Sequence, residues 1–375
     1  MRILFPLLAY YPSQVGGPAN TIYWLAKALS REKVDVTIVS TNLGLENNQV
    51  KTDSFIKTNY GKIYYGEGSG FNIKTIIQSL SEVKHHDIIH TNGLFDPIGL
   101  VTFFYAKLLY PSKTIICSVR GGLSPSALKY SYLRKYFVLF LYRLTNKNIY
   151  FHATSKKEIE DIKKILKINK NCFYIPNYIE PTKRFKNKIR KKKIVFLGRI
   201  HPIKSIENLI EAVSISKSFN KNNFHLDIIG TYESRYKDYY NILNDLVKKL
   251  NMQNKIKFLG HIEGEKKNKK IAESYALVLP SKSENFGNVI LEALNQGTPV
   301  IASKGTPWKL VEKNNAGFYC SNDCNSLSNA IDSLISLSKK EYSEYQENCL
   351  KLIDQKYNIK NNIDNWLKVY SSYKK

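Results

Sequence analysis

The chain has 375 residues and a formal net charge of +26 at pH 7, and 43% of its residues are hydrophobic. This apolar content excludes an intrinsically disordered chain, and the length suffices for two domains, each with its own core. The five cysteines are scattered and odd in number, so we expect reduced thiols and not a disulfide framework. No apolar run approaches the roughly 18–20 residues of a membrane span, so we expect a soluble or peripheral protein.

Strand and helix patterns alternate along the first half of the chain. Residues 1–8 are predicted to form a buried strand, because their apolar run continues into Gly16-Gly17 and not into a signal-peptide cleavage site. A helix pattern follows at 19–30, and three further strands are predicted at 34–40, 88–91 and 114–119. This alternation predicts βαβ units, and therefore a parallel sheet with helices on both faces.

Glycines and polar residues follow several of these strands. They are Gly16 and Gly17, the segment from His90 to Gly93, and Arg120-Gly121-Gly122. Ligands of such sheets bind beyond the carboxyl ends of the strands, so we expect these residues to gather at one rim. Paired glycines also let the backbone approach a ligand closely.

The interval 97–157 contains ten Lys or Arg residues and no acidic residue. One helical segment within it is crowded with aromatic residues, namely Tyr130, Tyr132, Tyr136, Phe137, Phe140 and Tyr142. An ordinary amphipathic helix packed on the sheet would explain the aromatic residues but not the missing acids. The pattern therefore predicts association with an anionic membrane surface.

Residues 181–193 contain eight basic residues and no acidic residue, and we interpret them as an interdomain linker. A nucleic-acid-binding tail is the alternative, but the run is internal and holds a single aromatic residue, Phe185. The second half then repeats the α/β alternation, with strands predicted at 194–197, 226–229, 256–259 and 276–279.

Two carboxylates flank a predicted helix start in the segment 281–292, directly after the last of these strands. Glu284 and Glu292 are eight residues apart, which corresponds to roughly 12 Å along a helix, so they cannot share a proton. A helix start offers unpaired N–H groups and suits an anionic ligand. Two solvated glutamates would give the same pattern, so the motif is informative only together with a second element.

That second element is the turn after the strand at 194–197. Arg199 and Lys204 bracket a strand-to-helix turn, where two fixed cations could clamp a diphosphate. No D-x-D motif, a common holder of divalent cations, occurs in the sequence. Charge neutralisation would then come from side chains and helix dipoles, and we expect neither a metal nor another cofactor.

An Arg/Lys pair followed by E-x7-E resembles the family 4 glycosyltransferases, retaining enzymes of the GT-B fold that use nucleotide-sugar donors. Gly16-Gly17-Pro18, Ala153-Thr154-Ser155, Ile175-Pro176-Asn177 and Pro299-Val300-Ile301-Ala302-Ser303 stand where that family has similar runs. The resemblance covers nearly the whole chain and implies an α/β protein of two Rossmann-like domains facing each other across a cleft. The implied divisions are an acceptor-side domain at 1–180, the linker at 181–193, a donor-binding domain at 194–345 and a C-terminal helix at 346–375 that returns to the first domain.

The same resemblance implies roles for single residues. Arg199 and Lys204 would bind the donor diphosphate, Glu284 the hydroxyls of the donor sugar, and Glu292 the ribose hydroxyls. The remaining donor-binding residues would be Gly16, Gly17, Gly230, Gly260, His261, Ile262, Asn285, Phe286, Gly287, Asn288 and Val289.

The first domain departs from the family at one position. The family commonly has His-x-His where this chain has His90-Thr91-Asn92. Asn92 cannot titrate, so general-base catalysis from that position is excluded, which a retaining front-face reaction tolerates. Asn92 and Arg120 are predicted on the acceptor side, where Arg120 would meet an acceptor diphosphate. His90 is either a packed strand-end histidine or a member of the same site.

Together these features predict a cytoplasmic glycosyltransferase at the inner face of the membrane, with no nucleic-acid partner. The expected donor is a nucleotide sugar, most commonly of UDP in this family. The expected acceptor is a saccharide, lipid-linked through a polyprenyl diphosphate or growing, in bacterial surface polysaccharide assembly. The alternatives are a GT-B-fold sugar-nucleotide epimerase or phosphorylase, and a basic nucleic-acid binder, which would explain the charge but not the order of the motifs.

Overall fold

The computed structural model describes residues 1–13, 15–46, 49–68, 72–129, 132–145, 148–185 and 190–373. It divides the chain into two compact units, the first formed by Met1–Glu180 with Ile359–Lys375 and the second by Pro181–Asn358. Each unit is built around its own, almost wholly parallel sheet. The predicted α/β class with two Rossmann-like domains is therefore confirmed.

The sheet of the first unit has eight strands in the order β3-β4-β2-β1-β5-β6-β7-β8, and only β3 runs antiparallel to its neighbour. The strands are β1 (Arg2–Ala9), β2 (Asp35–Thr41), β3 (Phe55–Thr58), β4 (Gly61–Gly66), β5 (Ile88–Asn92), β6 (Thr114–Ser118), β7 (Ile149–Ala153) and β8 (Cys172–Tyr174). Its helices before residue 180 are α1 (Gly17–Arg31), α2 (Ile73–Val83), α3 (Pro97–Leu109), α4 (Pro125–Lys129), α5 (Tyr132–Leu144) and α6 (Lys156–Asp161).

The central strands are continuous apolar runs because helices cover both faces of the sheet. Ile3, Leu4 and Phe5 of β1 are fully buried, as are Ile88 and Ile89 of β5. The strands β3, β4, β7 and β8 were not predicted. The strands β3 and β4 form a hairpin whose outer strand is only partly buried, and β8 has three residues, so β3 and β8 carry no long apolar signal, whereas β7 is mostly buried and was missed.

The second unit has a six-stranded sheet in the order β11-β10-β9-β12-β13-β14, and all of its neighbouring strands are parallel. The strands are β9 (Lys193–Leu197), β10 (His225–Ile229), β11 (Ile256–Phe258), β12 (Ala276–Leu279), β13 (Val300–Ser303) and β14 (Gly317–Cys320). Its helices are α7 (Ile206–Ile215), α8 (Lys217–Lys221), α9 (Lys237–Lys249), α10 (Gly264–Glu273), α11 (Asn288–Asn295), α12 (Leu310–Lys313), α13 (Cys324–Ile335) and α14 (Lys339–Leu352).

The interpretation of residues 181–193 as a linker was wrong for the described part of that segment; residues 186–189 lie outside the described residues. The segment belongs to the second unit, because Arg190 packs into it. The Arg190 guanidinium donates hydrogen bonds to the backbone carbonyls of Ala272, Ser274, Gln296 and Gly297. Five N–H donors in a fixed fork suit such a cluster of carbonyls.

The boundary predicted at residue 346 was also wrong. The expected single C-terminal helix is interrupted, because α14 passes into a π-helical turn at Ile353–Tyr357 and the chain becomes extended at Asn358. A new helix, α15 (Ile359–Tyr373), then belongs to the first unit and buries Ile363, Trp366 and Tyr370 there. None of the described helices is both long enough and apolar enough to cross a membrane.

Candidate functional site

The predicted donor residues of the second unit lie at the carboxyl ends of its central strands. The neighbours β9 and β12 lead into the turns that carry Arg199, Lys204 and Glu284. The turns after β9 and β10 touch backbone to backbone, since a Cβ on Gly230 would lie 1.8 Å from the carbonyl oxygen of Gly198. Gly230 has φ +147°, so both its conformation and its surroundings require glycine.

Lys204 and Glu284 contact each other directly. Their side chains are mostly buried, and the Lys204 ammonium forms an ion pair with the Glu284 carboxylate. The Ser281 hydroxyl donates a hydrogen bond of 3.0 Å to the same Oε1 atom. A diphosphate bound at this turn would contact the Lys204 ammonium alongside the Glu284 carboxylate, or would displace that carboxylate from it.

A tight backbone framework holds the turn that carries Glu284. The Glu284 amide donates to the Gly305 carbonyl at 2.9 Å, and a Cβ on Gly305 would lie 2.2 Å from the Ser281 carbonyl oxygen. The indole N–H of buried Trp308 donates to the Phe286 carbonyl. Gly287, at φ +83°, caps α11, which begins at Asn288. Gly305 and Trp308 were missed from the sequence, although Gly305-Thr306-Pro307-Trp308 directly after β13 is an evident turn signal.

Glu292 lies on α11 and keeps one carboxylate oxygen unused. Its Oε1 atom accepts a hydrogen bond of 2.9 Å from Lys267 of α10, and both side chains are mostly buried. Its Oε2 atom is buried and, among the described residues, has no hydrogen-bond partner. Such an orphan acceptor is costly unless a ligand hydroxyl or water satisfies it. Lys267 was not predicted, because nothing in the run Lys266-Lys267-Asn268-Lys269-Lys270 distinguishes it.

Arg199 has a different partner in this structure. Its exposed guanidinium forms an ion pair of 2.8 Å with Glu233, whose other oxygen binds Arg235 at 2.5 Å. Partial burial alone would raise the pKa of Glu233, but hydrogen bonds and charges from Arg235 and Arg199 lower it overall. Arg199 and Lys204 follow the same strand as predicted, but each is paired with its own carboxylate.

The remaining predicted donor residues border the same turns. His261 is exposed and lies 3.2 Å from Glu263, while Gly260 has φ +67° and accepts a hydrogen bond from the Gly230 amide. Phe286 is buried against Trp308. Partly buried side chains and one glycine surround the start of α11 and the β11–α10 turn, namely Ile262, Asn285, Gly287, Asn288 and Val289.

In the first unit, Gly16 and Gly17 form the turn from β1 into α1. Gly16 caps the helix with φ +79°, a conformation that favours glycine, and α1 begins at Gly17. The predicted glycine turn at the carboxyl end of β1 is therefore present.

His90 is a packed histidine, so its predicted role on the acceptor side is not supported. It is fully buried, its Nδ1 atom lies 2.8 Å from the Tyr370 hydroxyl, and its Nε2 atom lies 2.8 Å from the Ser118 hydroxyl. Burial lowers the pKa of His90 well below its usual value, with smaller contributions from His152 and Arg120. Both ring nitrogens are thus used inside the unit.

The hydrogen bonds around His90 form a chain with one consistent direction. The Nε2 atom of His152 lies 2.8 Å from the Ile175 carbonyl and must donate to it, so its Nδ1 atom accepts from Ser118 at 2.7 Å. Ser118 therefore accepts from His90, and Tyr370 donates to His90. Every member is satisfied with both histidines neutral.

Asn92 and Arg120 are brought together as predicted, with Asn177 as a third member. Asn92 Oδ1 accepts from the Nε and Nη2 atoms of Arg120 at 3.2 and 3.0 Å, and Asn177 Oδ1 accepts from Nη1 at 2.6 Å. All of the hydrogen bonds that Arg120 donates within the described part of the chain go to these neutral amides. Burial lowers the pKa of Arg120 to about 10, although the charge of Glu158 opposes the shift. A largely buried cation held by neutral groups suits an anionic ligand.

Comparisons with known proteins agree with this architecture. Residues 179–352 match the family model described as "Glycosyl transferases group 1". An uncharacterised glycosyltransferase of Methanocaldococcus jannaschii is 39% identical over 113 residues, which cover 30% of this chain and 27% of the relative. The chain thus spans about a quarter of the length of that relative.

Two solved structures resemble the whole chain. Sucrose-phosphate synthase from Thermosynechococcus elongatus has a TM-score of 0.80 at 18% identity, covering 99% of this chain and 98% of that one. Anabaena HepE, solved with UDP and glucose, has a TM-score of 0.75 at 17% identity, covering 98% and 100%. At such identities the likeness establishes the fold. Residues 179–352 therefore match the group 1 glycosyltransferases, and the chain as a whole has the GT-B fold.

Proposed function

We propose that the protein is a retaining, metal-independent glycosyltransferase that moves a sugar from a UDP-sugar onto a lipid-linked or growing saccharide in bacterial surface polysaccharide assembly. One observation carries the proposal. The turn after β12 brings Glu284 onto Lys204, and the helix that begins at the end of this turn holds Glu292 with an unpaired carboxylate oxygen. A cation and two separately held carboxylates match the diphosphate, sugar and ribose of a nucleotide sugar.

The donor half of the proposal follows from the chemistry of these groups. Lys204 supplies the positive charge that a leaving diphosphate needs. Glu284 is the acceptor for sugar hydroxyls, and Glu292 Oε2 is the acceptor for a ribose hydroxyl. Arg199 adds a second cation once the diphosphate competes with Glu233. HepE, which shares the fold, was solved with UDP and glucose, and this supports UDP as the nucleotide.

The reaction proceeds on one face of the donor sugar. The bond between the anomeric carbon and the diphosphate oxygen breaks, and the acceptor hydroxyl forms the new bond on the same face. The departing phosphate oxygen takes the proton of the acceptor hydroxyl, so the reaction needs no titrating side chain at the position of Asn92. Arg120, fixed by Asn92 and Asn177, binds the diphosphate of a polyprenyl-linked acceptor.

We place the enzyme in the cytoplasm, at the inner face of the membrane that carries such acceptors. The acid-free interval 97–157 supports this location, since each Lys or Arg near an anionic leaflet adds about 1 kcal/mol of attraction.

A donor screen tests the proposal. A UDP-sugar should raise the unfolding temperature, and transfer to a polyprenyl-diphosphate saccharide should retain the anomeric configuration, as read by NMR. Activity that stops in EDTA and returns with manganese would refute metal independence. Donor conversion without an acceptor would favour an epimerase or phosphorylase, and binding of DNA but of no nucleotide sugar would favour the nucleic-acid binder.

Substitutions in the Lys204–Glu284 pair test the site itself. Lys204→Ala and Glu284→Ala should each lower kcat/KM by about 10²–10³-fold, because each removes charge or hydrogen bonding from the transition state. The matched control is Lys282→Ala, since Lys282 lies in the same turn but its ammonium contacts Glu207 instead. Near-normal activity of either variant would remove that residue from its assigned role.

A further inference from the structure

The outer face of α5 is apolar and exposed. Leu133, Phe137, Phe140 and Leu144 follow each other at helical spacing, and their exposed fractions lie between 47% and 84%. The opposite face packs into the unit through Val138, Leu139 and Tyr142. A helix that is already anchored on one side thus presents a second apolar stripe about 16 Å long.

The neighbouring helix α3 also ends in exposed leucines. Phe104 of α3 packs on Tyr142 with ring centroids 5.7 Å apart, so the two helices adjoin. Leu108, one turn beyond Phe104, and Leu109 are both exposed at the end of α3. We call Leu133, Phe137, Phe140 and Leu144 the α5 face.

Helices α4 and α5 themselves carry four cations and no acidic residue. Lys129 and Arg134 are exposed. The Lys135 ammonium instead donates to the Ala127 carbonyl at 2.6 Å, and the Arg143 guanidinium donates to the Ile165 carbonyl at 2.7 and 3.0 Å. Of the aromatic residues noted in the sequence, Tyr142 is buried and Tyr130 lies outside the described residues. Of the four cations, two are therefore exposed and two are held by backbone carbonyls.

We propose that the α5 face docks the enzyme on an anionic lipid bilayer by inserting its leucine and phenylalanine side chains among the headgroups and upper acyl chains. A helix that lies in the membrane interface has such an apolar face, flanked by cations. The absence of any acid between residues 97 and 157 matches a uniformly anionic surface better than a protein partner of mixed charge. The inference deepens the proposed function, on which it rests for the lipid-linked acceptor.

Vesicle binding tests the inference without any measurement of activity. The full-length protein should co-sediment with phosphatidylglycerol vesicles at low salt, and an appreciable fraction should stay bound at high salt because insertion is not screened. The double variant Phe137→Ser/Phe140→Ser should lower partitioning at least tenfold at both salt concentrations. The matched control is Ile73→Ser/Ile77→Ser on α2, which removes two apolar side chains of the same unit that are 65% and 60% exposed and should leave partitioning unchanged.

A fluorescence readout separates insertion from surface contact. In a Phe137→Trp variant, vesicles carrying bromine on the upper acyl chains should quench the fluorescence of the new tryptophan. In an Ile77→Trp variant, the fluorescence of the new tryptophan should not be quenched. Equal binding of the Phe137→Ser/Phe140→Ser variant and the parent would overturn the proposal. The proposal would also be overturned if sedimentation showed that the parent self-associates through these residues and does not bind vesicles, because a second copy of the chain would then cover the α5 face. Donor binding measured on the same variants should match the parent, so a failure here is distinct from a failure of the proposed function.

Discussion

The ion pair of Lys267 and Glu292 sets the charge balance at the proposed ribose position. Lys267→Met would leave a mostly buried carboxylate without its cation and without one hydrogen bond. We expect the affinity for UDP to fall by about 5–30-fold, equivalent to roughly 1–2 kcal/mol. Isothermal titration calorimetry measures the change directly.

Two variants serve as controls for this prediction. Lys267→Arg keeps the cation and should retain most of the affinity, while Lys269→Met removes an exposed lysine from the same helix and should have no effect. If the Lys267→Met variant binds UDP with the same affinity as the parent, Lys267 does not position Glu292 for binding the ribose.

Glu284 competes with a diphosphate for Lys204. Glu284→Gln keeps the shape of the side chain but removes the negative charge that occupies the Lys204 ammonium. UDP, which carries the diphosphate but not the donor sugar, should therefore bind more tightly to this variant, while sugar transfer should be slower. Weaker binding of UDP by the Glu284→Gln variant would show that the ion pair does not oppose the nucleotide.

The chain of hydrogen bonds through His90 and His152 ties α15 to the sheet of the first unit and makes its stability depend on pH. Burial lowers the pKa of His152 to about 3, and Arg120 adds to the shift. The pKa of His90 is also lowered, whereas an unfolded histidine titrates near pH 6.5. Below about pH 6.5 the unfolded chain takes up protons that the folded protein excludes. The free energy of unfolding should then fall by up to about 1.4 kcal/mol per pH unit for each histidine.

Urea unfolding between pH 7.5 and 5.5 measures this dependence. Burial raises the pKa of Asp96 to about 6, and this acts in the opposite direction, because the folded protein binds that proton before the unfolded chain does. The histidine contribution is therefore isolated by comparison with His152→Gln, whose stability should depend less steeply on pH. Identical slopes for the parent and the variant would contradict the assignment of a buried neutral His152.

The two units should differ in whether they fold alone. The second unit is one continuous segment, Pro181–Asn358, whereas the first needs α15 from the far end of the chain. Deleting residues 359–375 removes four buried apolar side chains, Ile359, Ile363, Trp366 and Tyr370. Their burial is worth on the order of 6–12 kcal/mol, which is comparable to the stability of a whole domain.

Calorimetry of separate fragments tests this difference. Residues 181–358 should unfold in one cooperative transition, and residues 1–180 without α15 should show none. A cooperative transition in the 1–180 fragment would mean that α15 only covers a unit that is already stable.

The sequence by itself determined the local features of this protein. The alternation of apolar strands and amphipathic helices predicted the two α/β units, because period and turn residues are properties of short segments. The order of Arg199, Lys204, Glu284 and Glu292 also carried the resemblance to the family 4 glycosyltransferases, since each residue lies in a strand-to-helix turn or in the helix that follows one. The weak strands β3 and β8 carried too little pattern to be predicted.

The tertiary structure alone decided the partners of these residues. Lys204 meets Glu284 across 80 positions of sequence, and His90 meets Tyr370 across 280. Strand order and the return of α15 bring such residues together, and no local pattern encodes either. The same is true of Lys267. The sequence does not distinguish it from the other lysines of its basic run, and only the packing of α10 on α11 brings it to Glu292. Partners distant in sequence are fixed by the packing of whole elements, and so only the folded chain shows which charges are paired and that Glu292 Oε2 has no hydrogen-bond partner among the described residues.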